Sequence, residues 1–306
     1  MESFFSASNP TDRTYIALRD DGWPPFVEAR AYVDGAWPRC AKYLDRDLPA
    51  RAAHQFPAHF WELYLAESFL NAGFALKPRT TRSKPREGPD LQLEFRDVWI
   101  EAVLATPGTG PDAVVEGVPG QPTGVPHDGM KLRLLSAVTA KIGKRLEYLE
   151  KGLVSPTDPF VIAVNAAEIP SASLESTIPR IVSSLLPFGH EQIHIDHATL
   201  KETGRSFVYQ GSVPKLSGAE VQTDGFLSPE MEGVSAVLYS WGDVINRPSG
   251  IRRLLAVYND KAANPLDIGL FRPVAVEYWC EGGVLNRHSA EAPNSAAAGA
   301  GGGLLP

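Results

Sequence analysis

Two carboxylates in the stretch from Gly88 to Gly108 stand where carboxylates are costly. Asp90 follows the Gly88-Pro89 turn at the head of one apolar run, and Glu101 lies in the middle of the next, "DVWIEAVLA". On a strand successive side chains alternate faces, so Glu101 shares one side with Trp99 and Val103 while Val98, Ile100 and Ala102 take the other. An ionised acid between apolar neighbours must be paired, hydrogen-bonded or coordinated to a cation. A structural ion pair with an arginine meets that need. A divalent ion meets it too: if "FRDV" closes a hairpin, the two acids approach at one edge of a sheet. Two hard oxygen donors with room for water suit Mg²⁺. Such an ion stabilises the charge of a phosphodiester under in-line attack and activates the attacking water, which is hydrolytic chemistry.

The elements that must position these acids follow a readable order. Pro57 suits the first turn of a helix, and "AHFWELYLAESFLNAG" is apolar around most of its circumference before Gly73 supplies a stop. "FALKP", "DLQLEF" and "DVWIEAVLA" read as strands. After a Gly/Pro-rich loop, Leu135, Val138, Ile142, Leu146 and Leu149 follow a 3, 4 spacing that predicts a long amphipathic helix closed by Gly152. "DPFVIAVNAA" then reads as a strand covered on both faces. The order is helix, three strands, helix, strand.

These residues resemble the PD-(D/E)xK nuclease superfamily, the restriction-endonuclease-like fold. Its signature is Pro-Asp, a variable gap, then Glu or Asp, any residue and Lys, on a core with that same order of elements. Pro89-Asp90 and Glu101-Ala102-Val103 match the first two parts, and the resemblance covers roughly residues 55–167. It implies an α/β fold with that core and Mg²⁺, or alternatively Mn²⁺, held by Asp90, Glu101 and the carbonyl of Ala102. It implies Glu62, on the first helix beside Leu65, Ala66 and Phe69, as a further acid supporting the metal. The activity implied is phosphodiester hydrolysis, with DNA favoured over RNA as substrate.

The departure is Val103, which stands where the signature has the lysine that orients the water. Either a cation from another element takes that role, or the fold persists without cleavage as a binding or assembly module. The long helix offers Lys131, Lys141, Lys144 and Arg145. Lys131 and Arg145 lie nearest the apolar stripe by angle. Lys141, on its flank with Leu134 and Tyr148 and near the middle of the helix, is the expected replacement.

The loop "KPRTTRSKPRE" carries Lys77, Arg79, Arg82, Lys84 and Arg86 straight into the Asp90 turn. Charge runs with Pro and Ser are commonly solvated, and the alternative is a loop that contacts the substrate's phosphates. In "EQIHIDHATL", His194, Asp196 and His197 lack a further ligand, so polar residues of a half-exposed strand are expected there. No P-loop, dinucleotide fingerprint or nucleophile elbow is present.

A net charge of −7 argues against a surface built throughout for nucleic acid, without excluding a local basic site. With 43% apolar and 21% charged residues, the 306-residue chain has ample material for a sizeable core. No run of about 18 apolar residues occurs, and the N-terminus lacks a signal pattern, so a cytoplasmic protein with no membrane partner is expected. Cys40 and Cys280 are expected as free thiols. The organisation expected is an N-terminal segment (1–54), the core (55–167), a mixed α+β C-terminal extension of the same or a second domain (168–288) and a Gly/Ala-rich flexible tail (289–306). Within the extension, "QIHIDH", "SFVYQGSV", "VSAVLYS", "RLLAVYN" and "VAVEYWC" read as strands and "IPRIVSSLLP" as a short helix.

Overall fold

The computed structural model describes residues 3–82, 84, 87–121, 124–247 and 254–288; the expected tail and Arg86 lie outside them. The N-terminal segment forms three helices, α1 (Arg13–Asp20), α2 (Pro24–Cys40) and α3 (Leu48–Ala52). Helix α4 (Phe56–Asn71) follows, with Pro57 in its first turn. One carboxylate joins this group: Asp12 Oδ1 accepts from Tyr15 N at the start of α1, and Oδ2 accepts from Phe56 N at the start of α4. Each of those amides has no partner within its own helix, so the acid caps two helix starts and sets their relative position.

After α4 come β1 (Leu91–Gln92), β2 (Trp99–Leu104), α5 (His127–Glu150) and β3 (Phe160–Asn165). The three strands expected after the helix are therefore unequal. "FALKP" contributes a single bridge, Leu76 to Leu93, and "DLQLEF" pairs over two residues only. Arg96 and Asp97 adopt left-handed backbone (φ 56° and 50°), which turns the chain sharply and stops the pairing early. The hairpin itself forms, antiparallel, with Leu91 opposite Ile100 and Gln92 opposite Trp99.

The chain continues through α6 (Arg180–Leu185), β4 (Phe188–Ile195), β5 (Glu202–Tyr209), β6 (Ser212–Pro214), β7 (Glu220–Gln222), β8 (Ala236–Ser240), β9 (Leu254–Tyr258), β10 (Ala275–Glu281) and β11 (Val284–His288). A mixed seven-stranded sheet runs β1-β2-β3-β8-β9-β10-β11. Its strands β2, β3 and β8 are mutually parallel, β9 and β10 form a second parallel pair, and β1 and β11 are antiparallel edges. "QIHIDH" and "SFVYQGSV" do not join this sheet; β4 and β5 pair only with each other, as do β6 and β7.

Helices cover both faces of the sheet, which makes the protein a mixed α/β structure with two apolar layers. On one side Ile100, Ala102, Val161, Ala163, Ala236 and Leu238 pack with α4 and the N-terminal helices. On the other, Trp99, Phe160, Ile162, Val164, Val237 and Tyr239 pack with α5 and α6. This double cover explains the near-continuous apolar runs of β3 and β8. Trp61, 1% exposed, ties α4 to the sheet through Nε1, which donates to the carbonyl of Ala163 at 2.9 Å.

Helix α5 departs from the expected stripe in an instructive way. Its buried residues are Met130, Leu134, Leu135, Ala137, Val138, Arg145 and Tyr148 among others, whereas Leu146 is exposed. The helix is thus rotated toward the flank that carries Leu134, Lys141 and Tyr148. Lys131 and Arg145 are buried, Arg145 over the ring of Phe160 and Lys131 donating to Gln210 Oε1.

Candidate active site

Asp90, Glu62 and Glu101 come together at the edge of the sheet beside β2. Antiparallel pairing of β1 with β2 brings Asp90 opposite Glu101, one step beyond the Leu91–Ile100 pair, and residues opposite one another share a face. Asp90 Oδ2 accepts from the backbone N–H of Ala102 at 2.7 Å. Because a strand residue's N–H and C=O point the same way, the carbonyl of Ala102 faces this edge too. Beyond this point β1 has ended, and Val103 and Leu104 line an open cavity of about 570 Å³ together with Glu62, Asp90, Lys141 and Glu168.

Glu101 is buried on the sheet face it shares with Trp99 and Val103, and α5 covers that face. Lys141 Nζ donates to its Oε1 at 2.6 Å, and Tyr148 OH donates to its Oε2 at 3.1 Å. Burial, with the Glu101 charge next, pushes the Tyr148 hydroxyl far above its ordinary value, so it remains a donor. Glu62 Oε1 meets His59 Nδ1 at 2.8 Å, one turn earlier on α4, while its Oε2 is buried without a hydrogen-bond partner.

Asp90 is half-buried and lines the cavity. That burial, followed by the charges of Glu62 and Glu101, pushes it well above the usual carboxylate range, against the pull of Lys141 and the Ala102 N–H. Three acids crowded in this way favour a proton or a cation. Among the described residues no group of three or more His, Cys, Asp or Glu side chains is arranged as a metal cage. Glu101 has both oxygens occupied by Lys141 and Tyr148. The donors that remain are Asp90, the unpartnered oxygen of Glu62 and the Ala102 carbonyl, all hard oxygens. That set fits Mg²⁺, which binds through one or two carboxylates and keeps its waters.

Two arginines of the basic loop differ from both readings of its sequence. Arg79 and Arg82 are each 6% exposed, so neither is a solvated side chain or a surface phosphate contact. Both turn inward onto the backbone that carries Asp90. Arg82 donates to the Pro89 carbonyl at 2.7 Å and to the Asp90 carbonyl at 3.3 Å, with its guanidinium over Trp99; Arg79 donates to the Pro89 carbonyl at 3.3 Å and pairs with Asp45 at 2.6 Å. Burial, with Arg79 beside it, pulls Arg82 down to about 10. Lys77 pairs with Asp97 and Lys84 reaches the Lys151 carbonyl, both at the surface.

Several residues of the site carry no chemical signature in sequence. Tyr148 looks like core, His59 like one more residue of an apolar helix, and Arg79 and Arg82 like a charge run. The only local hint was the position of the arginines just before Pro89-Asp90. The rim residues Asp12, Arg51 and His54 come from the N-terminal segment. His194 bonds Ser206, and Asp196 closes a turn onto Ala198 and Thr199; neither belongs to this site.

Comparison of the chain with protein-family models, with curated proteins and with solved structures finds no match. Among the described residues no helix is long and apolar enough to cross a membrane.

Proposed function

We propose that the protein is a metal-dependent nuclease of the PD-(D/E)xK type, in which the missing motif lysine is replaced from α5. The observation that carries this reading is the Lys141 ammonium on Glu101, beside Asp90 and at the mouth of an open cavity. The order α4, bridge, β1, β2, α5, β3 supports a restriction-endonuclease-like core in which the first strand has shrunk to one bridge.

In this reading Asp90, Glu62 and the Ala102 carbonyl hold Mg²⁺ or Mn²⁺, with Glu101 adjacent. The ion, when bound, supplies Lewis-acid stabilisation of the attacked phosphodiester and lowers the pKa of a bound water. The chain's own residues do the rest. Lys141 offsets the negative charge of the acids and of an approaching phosphate. Tyr148 holds the second oxygen of Glu101, fixing the carboxylate plane. Arg79 and Arg82 hold the turn that aims Asp90, and His59 holds Glu62 by one oxygen, leaving the other free for the ion.

Single-stranded DNA, duplex DNA and RNA incubated with Mg²⁺ or Mn²⁺ test the reading. Cleavage that disappears with EDTA and in Asp90→Ala and Glu101→Ala supports it. No cleavage of any substrate with either ion favours a binding or assembly module on the same scaffold.

A further inference from the structure

The cavity that holds Asp90 shares Pro57 and Glu168 with a neighbouring cavity of about 290 Å³. This second space lies between the N-terminal helices and the carboxyl ends of β3 and β8. Crevices at the carboxyl ends of parallel strands are where α/β sheets take their ligands. Half-buried Phe26 of α2 lines it with an accessible ring, above a floor of Phe56 and Phe60 of α4, which are 1% and 3% exposed and stacked on one another with centroids 5.8 Å apart. Thr14 and Glu168 contribute polar groups, and neither side chain makes a hydrogen bond among the described residues. Beside it Trp23, 51% exposed, packs edge-on against Phe26 at 4.9 Å. The chain leaves a large aromatic in water next to an aromatic-lined cavity with an unused polar edge.

Resting on the nuclease reading above, we propose that this second cavity takes the unstacked base of the nucleotide next to the bond attacked at the acids, so that the substrate is a DNA strand with unpaired bases. A nucleobase has two apolar faces and a polar edge, which is the chemistry of these walls. At about 290 Å³ the cavity is at the low end for small-molecule sites, enough for one base. The shared Pro57 and Glu168 make it the immediate neighbour of the cavity that Asp90 lines. A base inside a duplex cannot enter without being pulled from its stack, whereas an unpaired base enters freely. The electrostatics agree: Arg79 and Arg82 are consumed internally and the chain carries −7, so phosphate contacts alone give little affinity. Base stacking on aromatics supplies affinity without sequence preference.

The test titrates the full chain, with Ca²⁺ in place of Mg²⁺ to keep the strand intact, into a short single strand containing the stacking-sensitive base 2-aminopurine and into its duplex. Cleavage of circular single-stranded and circular duplex DNA is measured in parallel with Mg²⁺. The single strand should bind at least about tenfold tighter than the duplex and be cut in preference to it. Phe26→Ala, which opens the cavity, and Ala167→Leu, which fills it, should each weaken single-strand binding about 5- to 100-fold with melting temperatures near that of the parent. Binding of the single strand within twofold of the parent by both variants, or equal binding and cutting of duplex, overturns the proposal. Binding that follows this pattern without any cleavage retains the base cavity and removes only the hydrolytic reading.

Discussion

Lys141 and Glu101 are 40 residues apart in sequence and 2.6 Å apart in space, joined from α5 to β2 across one face of the sheet. The contact joins a buried carboxylate to a half-buried ammonium at the wall of the cavity. Breaking one side of a buried pair leaves an uncompensated charge, which typically costs about 3–5 kcal/mol. Lys141→Met should therefore destabilise the protein and lower metal-dependent cleavage by about 10²–10³. Adding Glu101→Gln should recover most of the stability in thermal melts and none of the cleavage. Cleavage by Lys141→Met alone at the parent's rate, measured below its own melting temperature, would show that Lys141 serves the fold alone.

Asp90 gives a prediction about metal linkage. Its carboxylate is half-buried and crowded by Glu62 and Glu101, so Asp90→Asn, which removes that charge, should raise the melting temperature in EDTA. Mg²⁺ or Mn²⁺ should raise the melting temperature of the parent protein and leave that of Asp90→Asn unchanged, because an ion that binds only the folded state stabilises it. Equal stabilisation of both proteins would place the ion elsewhere.

Arg82 spans two consecutive carbonyls, those of Pro89 and Asp90. Lysine keeps the charge but cannot reproduce the planar fork. Arg82→Lys should fold, lose about 1–3 kcal/mol of stability and weaken the metal-induced rise in melting temperature. A variant with reduced stability and an unaltered metal response would confine Arg82 to a structural role.

His127 supplies a pH dependence independent of the acids. Arg180 donates to His127 Nδ1 at 3.1 Å, and burial, with the Arg180 charge next, holds the imidazole below its ordinary value. The unfolded chain then takes up a proton near pH 6.5 before the folded one does, so this group's contribution to stability is present above that pH and lost as pH falls below it. Urea melts of the parent and His127→Gln, compared at pH 7.5 and 5.5, should show the smaller loss in the variant. Identical losses would assign the acid sensitivity to other groups.

Much of the frame follows from local rules. The alternation around Glu101 places it on one strand face with Trp99 and Val103 before any fold is known, because a strand's side-chain period is two. The Pro89-Asp90 turn and "FRDV" place two strands antiparallel, and the 3, 4 pattern of α5 makes a helix. Such features depend on a few consecutive residues.

Only the tertiary structure decides the partners. Whether Lys131, Lys141, Lys144 or Arg145 reaches Glu101 depends on the rotation of α5 about its axis, and that is settled by packing Leu134, Val138 and Tyr148 against β2 and β3 rather than Leu146. The inward turn of Arg79 and Arg82 likewise requires Asp45, Trp99 and the Pro89 carbonyl to converge from separate elements. A charge run looks the same in sequence whether solvated or buried, because its desolvation is offset only by partners remote in the chain. The N-terminal helices wall the cavity for the same reason: Asp12 reaches Phe56 N across 44 positions, a contact that no local pattern encodes.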